Sequence, residues 1–118
     1  MKHKDIIILK KICQYCDEAK EACTMFHNSF DQYKENAVFR NSCNMCVLQI
    51  GELCKLVSPE LREQETEIAW KGWCGIRDIF AHQYSNLDFN AAWDTIQNDL
   101  PALSVKAAQM LEKYGNAG

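Results

Sequence analysis

Residues 9–26 read LKKICQYCDEAKEACTMF, and their apolar side chains recur at steps of three and four residues. These apolar positions are Leu9, Cys13, Cys16, Ala19, Cys23 and Phe26. Steps of three and four residues are the period of one face of an α-helix. The pattern therefore predicts a first helix from residue 4 to about residue 27.

A second helix is predicted after the polar stretch 28–36. Its apolar positions are Phe39, Cys43, Cys46, Ile50, Cys54 and Val57. The helix is expected to stop at Ser58-Pro59, because serine is a good N-cap and proline suits the first position of a following helical turn. A short additional turn is therefore expected from Pro59.

A third helix is predicted over roughly residues 66–82, from the apolar positions Ala69, Trp73, Ile76 and Phe80, with residues 84–87 as its exit turn. Asp88 is a plausible N-cap for the last helix, whose apolar residues continue to Tyr114. Pro101 lies inside this segment and disfavours helix at the preceding residue. A kink or break is therefore expected near Leu100, with a fifth helix after it.

The composition favours one all-α domain over residues 1–118. The chain has 118 residues, 47% hydrophobic, with five Gly and two Pro, so few residues interrupt long helices. The architecture that fits is a bundle of four long helices with a short extra helix. The net charge of −3 provides no general attraction for a polyanion, so binding to nucleic acid requires a local positive site.

Seven cysteines include the pairs Cys13-x-x-Cys16 and Cys43-x-x-Cys46, a spacing that also occurs in zinc sites. All four lie on the apolar helix faces, so core packing is favoured and no metal or cofactor is expected. His3 and His27 are expected on the surface. An odd number of cysteines, with only four consecutive apolar residues (6–9) near the N-terminus, predicts reduced thiols in a cytoplasmic protein that has no membrane segment.

The candidate chemistry lies in Arg77-x4-His82-x-Tyr84. Taken residue by residue, the preferred explanation is structural: a surface ion pair for Arg77, a helix-end cation for His82 and half-buried packing for Tyr84. Five residues of ideal helix give a rise of about 7.5 Å and a rotation of roughly 140°, so Arg77 and His82 do not share a face. Joint action requires that the helix end near His82, that the arginine wrap back, or that two copies of the chain meet.

Three segments together resemble the HepT-like family of the HEPN superfamily. They are GIRDIFAHQY at 75–84, KDIIILKKI at 4–12 and MCVLQIGEL at 45–53. The resemblance implies a HEPN-type bundle and a homodimer that joins two motif copies and cleaves RNA without metal. Arg77 and His82 would be catalytic, and Asp78 would be a supporting polar residue. His82 could act as general acid or base in attack of the ribose 2′-hydroxyl, while Arg77 holds the phosphate.

The resemblance further implies an endoribonuclease toxin of a type II toxin–antitoxin pair of the HepT/MntA type. Its partner would be an MntA-like minimal nucleotidyltransferase antitoxin that transfers AMP from ATP to Tyr84. Two alternatives stay open: a non-catalytic HEPN subunit that binds a nucleotidyltransferase, and a purely structural bundle. The acidic character of residues 59–88, with six acidic and three basic residues, supports the first alternative.

Overall fold

The computed structural model of the chain describes residues 2–80 and 88–115, and only the backbone of Arg77 and Asp78. All regular secondary structure in this part of the chain is helical, which confirms the all-α fold class. The helices are α1 (His3–Met25), α2 (Phe30–Glu35), α3 (Ala37–Leu56), α4 (Pro59–Gln64), α5 (Trp70–Cys74), α6 (Arg77–Phe80), α7 (Phe89–Asp94) and α8 (Leu100–Met110). A first π-helical turn, Thr95–Asp99, follows α7, and a second, Leu111–Gly115, follows α8.

Helices α1 and α3 form the centre of the core, as their apolar periodicity predicts. Leu9 and Ile12 of α1 and Val47 and Ile50 of α3 are fully buried, and the two helices pack along each other. Helix α3 begins where the side chain of Asn36 accepts hydrogen bonds from the backbone nitrogens of Val38 and Phe39, at 2.9 and 3.1 Å. The first two predicted helices are therefore confirmed.

The last helical segment begins at the predicted cap. Asp88 accepts hydrogen bonds from the backbone nitrogens of Asn90 and Ala91, at 3.0 and 3.1 Å. Of the kink or break expected near Leu100, the break does not occur, because the backbone stays helical from α7 through the first π-helical turn into α8. Pro101 lies in the first turn of α8, where the wider π-helical pattern precedes it and its missing N–H group costs little. Helix α8 then packs against α1.

Helix α2 forms within the stretch that the sequence analysis treats as merely polar. Ser29 caps it by accepting a hydrogen bond from the backbone nitrogen of Gln32 at 3.2 Å. Its Tyr33 is fully buried and donates its hydroxyl hydrogen to Oδ1 of Asn44 at 2.6 Å. The buried ring of Tyr33 thus helps to hold this short helix on α3.

The prediction of one helix over residues 66–82 is wrong in two respects: the helix begins later, and it is interrupted. Helix α5 begins only at Trp70, whose indole nitrogen donates to the carbonyl oxygen of Glu65 at 2.8 Å and holds the preceding loop. At Gly75 the α-helical pattern stops, and Ile76 N donates to Trp73 O at 3.2 Å, a tighter turn. Helix α6 then restarts at Arg77.

Helix α4 is tied to the start of α1 by a buried polar contact. Ser58 caps α4, as predicted, by accepting a hydrogen bond from Leu61 N at 3.3 Å. The buried carboxylate of Asp5 accepts hydrogen bonds from the nitrogen and the hydroxyl of Ser58, at 2.9 and 2.5 Å. Both side-chain oxygens of Asp5 are therefore paired, as buried polar atoms require.

Three of the four paired cysteines are core residues, as predicted. Cys16, Cys43 and Cys46 are buried, and Cys13 is half-buried. His3 and His27 are exposed. No helix among the residues that the structure describes is long and apolar enough to cross a membrane.

Candidate active site

Helix α6 is the single turn that begins the Arg77-x4-His82 motif. Ile76, directly before it, is buried, and Phe80 at its end is fully buried. Ile79, between them, is 41% exposed. The backbone that carries Arg77 and Asp78 is therefore fixed to the core at both ends, while one face of the turn reaches solvent.

Gly51 of α3 allows the close approach that positions this turn. A Cβ atom built on Gly51 would lie 2.7 Å from Cγ2 of Ile76 and 2.9 Å from the carbonyl oxygen of Trp73. Both distances are shorter than any ordinary carbon contact, so only glycine fits here without displacement. The stretch 45–53, which carries part of the family resemblance, thus contains the residue against which the motif segment packs.

Helix α7, where the description of the chain resumes after residue 87, is anchored to α2 and α3. The Phe89 ring, one residue after the Asp88 cap, lies edge-on to Tyr33 with 5.9 Å between ring centroids. The Arg40 guanidinium lies over the Phe89 ring, 5.2 Å from its centroid. Nη1 of the same side chain donates to the carbonyl oxygens of Tyr33 and Lys34, at 3.2 and 2.8 Å. Sequence reasoning missed Arg40, because only tertiary packing brings α3 to the start of α7.

His82 and Tyr84 lie outside the described residues, as does the expected exit turn at 84–87. For Arg77 and Asp78 the structure describes a helical backbone in α6. The mutual geometry of the motif side chains, and with it the need for a second copy of the chain, stays a prediction.

An open groove of about 400 Å³ runs beside α6. Its floor and walls are largely apolar and include Ile68, Trp73, Ile76, Ile79 and Leu103. It lies between the segment that leads into the motif and the final helical stretch. The exposed side of Ile79 therefore faces a depression rather than an open convex surface.

Charged groups lie at the edges of this groove. Lys106 forms an ion pair with Glu67, and Asp99 lies among the lining residues. Partial burial and the neighbouring Asp94 raise the pKa of Asp99. Among the described lining residues the single cation, Lys106, is paired and two acidic side chains are present, so this part of the lining suits an apolar protein surface better than an RNA backbone.

An all-α fold in which helix α6 begins the Arg-x4-His-x-Tyr motif agrees with the class that the sequence predicts, a small helical ribonuclease. A family model described as "Ribonuclease HepT-like" matches residues 12–110. This match covers most of the chain, from α1 through the motif to the end of α8. The chain belongs to the HepT-like ribonuclease family.

Known relatives support the same assignment. A protein of Caldanaerobacter subterraneus subsp. tengcongensis, whose name describes it as an RNase, is 28% identical over 85 residues, which are 72% of this chain and 76% of the relative. A protein of Methanocaldococcus jannaschii with a similar name is 24% identical over 83 residues, which are 70% of this chain and 72% of the relative. A protein of Thermococcus cleftensis named for ribonuclease HepT is 32% identical over 57 residues, 48% and 52% of the two chains. No solved structure matches the chain.

Proposed function

We propose that this chain is a metal-independent endoribonuclease, the toxin of a type II toxin–antitoxin pair, with Arg77 and His82 as its catalytic residues. The observation that carries the proposal is a complete Arg-x4-His-x-Tyr motif in a member of a ribonuclease family. The anchoring of α6 through Ile76 and Phe80 supports it, since catalytic groups need a rigid base.

The proposed reaction uses the ribose 2′-hydroxyl of the substrate. His82, in its neutral form, accepts the proton of this hydroxyl, whose oxygen then forms a bond to the adjacent phosphorus. The bond from phosphorus to the 5′-oxygen breaks, and that oxygen takes up a proton from water, while the protonated His82 returns its proton to the solvent. Arg77 holds the phosphate with a bidentate fork and stabilises its developing charge. Asp78, beside it on α6, is the supporting polar residue.

Cleavage of RNA in the presence of a chelator tests the nuclease proposal. Wild-type protein should cleave, whereas His82→Ala should lose about 10²–10⁴-fold in rate, the usual contribution of a general acid or base. Arg77→Ala should lose about 10²–10³-fold. His3→Ala is the matched control, because His3 is exposed and remote from the motif in sequence. DNA of the same sequence should remain intact.

The proposed active form is a homodimer with one motif cleft shared by two copies. The apolar groove beside α6 supports this arrangement, since a second copy that covers it symmetrically would bring the two α6 turns, at which the motifs begin, close to each other. Sedimentation at micromolar concentration should show a dimer, and Ile79→Asp should weaken it. Val105→Asp is the matched control, because Val105 is 57% exposed but lies away from this groove. Sedimentation of the wild-type protein as a monomer would refute the proposal of an active site shared by two copies.

We also propose that Tyr84 is the regulatory residue, modified by a cognate MntA-like nucleotidyltransferase. In this step the phenol oxygen attacks the α-phosphorus of ATP, pyrophosphate leaves and the phenol proton is released. An adenylate beside Arg77 would then occupy the phosphate site. Coexpression with the nucleotidyltransferase should add adenylate to the wild-type mass but not to Tyr84→Phe, which should keep nuclease activity. Modification of the Phe variant would refute this role.

The alternative is a non-catalytic subunit that binds the nucleotidyltransferase. The acidic side chains Glu67 and Asp99 at the groove favour a protein ligand there. This alternative predicts that RNA stays intact with wild-type protein, with or without added metal, while the nucleotidyltransferase still binds. Cleavage that requires added metal would instead contradict the proposed mechanism. The cytoplasmic location stays a prediction.

A further inference from the structure

Three exposed lysines lie together on the first half of α1. Lys4, Lys10 and Lys11 are each three or four residues from Ile7, a spacing at which side chains are neighbours on a helix surface. All three lysines are exposed, and Ile7 between them is 43% exposed. From Lys4 to Lys11 the helix rises by about 10 Å. Three positive charges therefore share one small surface, the α1 basic patch.

Acidic side chains do not neutralise this patch in the part of the chain that the structure describes. Asp5 is buried, and both of its side-chain oxygens bond to Ser58. Glu60 of α4, near the start of α1, is paired with Lys2 at 3.4 Å. None of the ion pairs between described side chains includes a lysine of the patch. Four lysines elsewhere on the molecule are each paired with an acidic side chain: Lys34, Lys55, Lys106 and Lys113.

The patch does not stabilise the helix that carries it. Lys4 lies in the first turn of α1, where the helix dipole favours an anion and disfavours a cation. Like charges on one helix face also repel each other. Binding of an anionic ligand would remove both costs, whereas the fold of α1 does not need these charges.

The patch and the start of the motif lie at the same end of the bundle. Asp5 bonds to Ser58, just after α3 ends, whereas Glu18 Oε2 lies 4.0 Å from the Cys46 sulfur in the middle of α3. The two helices are therefore antiparallel, and the patch is near the C-terminal end of α3. The segment that leads into the motif packs on Gly51, five residues before that end.

RNA suits this patch better than a second copy of the chain does. The net charge of −3 means that RNA binding requires a local positive site, and the described lining of the groove beside α6 does not provide one. The acidic half of α1 in a second copy could also attract the patch, but Glu18 in that half already accepts a hydrogen bond from Gln14 at 3.3 Å. Phosphates of a substrate strand have no such internal partner.

We propose that the α1 basic patch binds phosphates of the RNA substrate, on a stretch of strand next to the one held at the motif. This inference rests on the proposed function for the identity of the ligand and adds a second contact region to it. Lysine binds phosphate as a point charge and does not read bases. The patch should therefore raise the affinity for long strands whatever their sequence.

Binding of an uncleavable RNA tests the patch directly. The probe is a fluorescent single-stranded 2′-O-methyl RNA of about 16 nucleotides, the upper site size of a small single-strand-binding domain. Combined replacement of Lys4, Lys10 and Lys11 by Gln should flatten the slope of log affinity against log salt by about 2, since each lost phosphate contact removes about 0.7. It should also weaken binding roughly tenfold or more. Replacement of the same three residues by Arg keeps the charge and should keep the wild-type slope.

A control variant has the same net charge but an intact patch. Combined replacement of Lys20, Lys34 and Lys113 by Gln should keep the wild-type slope, at matched helical content. Equal slopes of the two Gln variants, or no binding of the RNA by the wild-type protein, would overturn the proposal. A patch variant that binds RNA normally but sediments differently would also overturn it, because the patch would then pair two copies of the chain.

Cleavage kinetics distinguish this inference from the proposed function. With an unmodified RNA of the same length, the patch Gln variant should raise KM about tenfold and change kcat little, because the patch holds the strand equally before and in the transition state. Cleavage with an unchanged KM would refute the patch and leave the nuclease proposal intact. Wild-type protein that binds RNA with the expected dependence on the patch, but cleaves none, would refute the nuclease and support the patch.

Discussion

Replacing Gly51 with alanine adds one methyl group where α3 touches the chain that leads into α6. The new Cβ would lie 2.9 Å from the carbonyl oxygen of Trp73 and 2.7 Å from Cγ2 of Ile76. The oxygen is backbone and cannot rotate away, and the buried isoleucine is stiff about χ1. Helices α3 and α5 must therefore move apart, and the shift reaches the residue that directly precedes Arg77.

Two effects of opposite sign decide the size of this change. Overpacking of a well-packed core costs about 1–3 kcal/mol, whereas alanine is better than glycine inside a helix by about 1 kcal/mol. Gly51→Ala should therefore lower the free energy of unfolding by roughly 0–2 kcal/mol. At Gly72 the added Cβ would have Ala69 Cβ at 3.7 Å as its nearest contact, so Gly72→Ala should gain up to about 1 kcal/mol.

The difference between these two alanine variants isolates the overpacking, because both replace a helical glycine. Urea denaturation followed by circular dichroism, at one fixed protein concentration, should place Gly51→Ala about 1–3 kcal/mol below Gly72→Ala. If the proposed function holds, RNA cleavage by folded Gly51→Ala should also be slower than by Gly72→Ala. Equal stability of the two variants would refute the close approach of α3 to Trp73 and Ile76.

Two further predictions concern buried polar and ionisable groups. Tyr33→Phe leaves the Asn44 side-chain oxygen without its donor. The variant should lower the free energy of unfolding, measured by chemical denaturation, by about 1–3 kcal/mol and preserve the helical content. An unchanged free energy of unfolding would contradict the buried hydrogen bond. Burial raises the pKa of Cys54 and of Cys16 to about 12 each, while unfolded thiols titrate near pH 8.5. Above roughly pH 8.5 the unfolded chain thus loses protons that the folded chain keeps, so stability should fall by about 1.4 kcal/mol per pH unit for each such thiol until the pH passes the folded pKa. Denaturation midpoints in reductant that stay constant between pH 8.5 and 11 would contradict this, and Cys54→Ala should reduce the slope.

Some residues of the candidate site could be predicted from the sequence, and others could not. Arg77, His82 and Tyr84 stand out by spacing and by family resemblance, and the family match supports the ribonuclease class. The residues that pack against the segments on either side of the motif could not be predicted in this way. Gly51 and Arg40 are far from the motif in sequence, and nothing in their local spacing connects them to it; only packing of α3 against α5 and α7 does so.

By itself, the sequence determined the long amphipathic helices α1 and α3, the caps at Ser58 and Asp88 and the burial of most cysteines. These features depend on helical periodicity and on hydrogen bonds between near neighbours, which a linear pattern records directly. Only the tertiary structure decided the interruption at Gly75. It also decided that Tyr33 of α2 reaches Asn44 of α3, because the outcome depends on how two helices are rotated and spaced against each other. That rotation and spacing are set by the summed packing of many side chains over the whole core, which no single segment specifies.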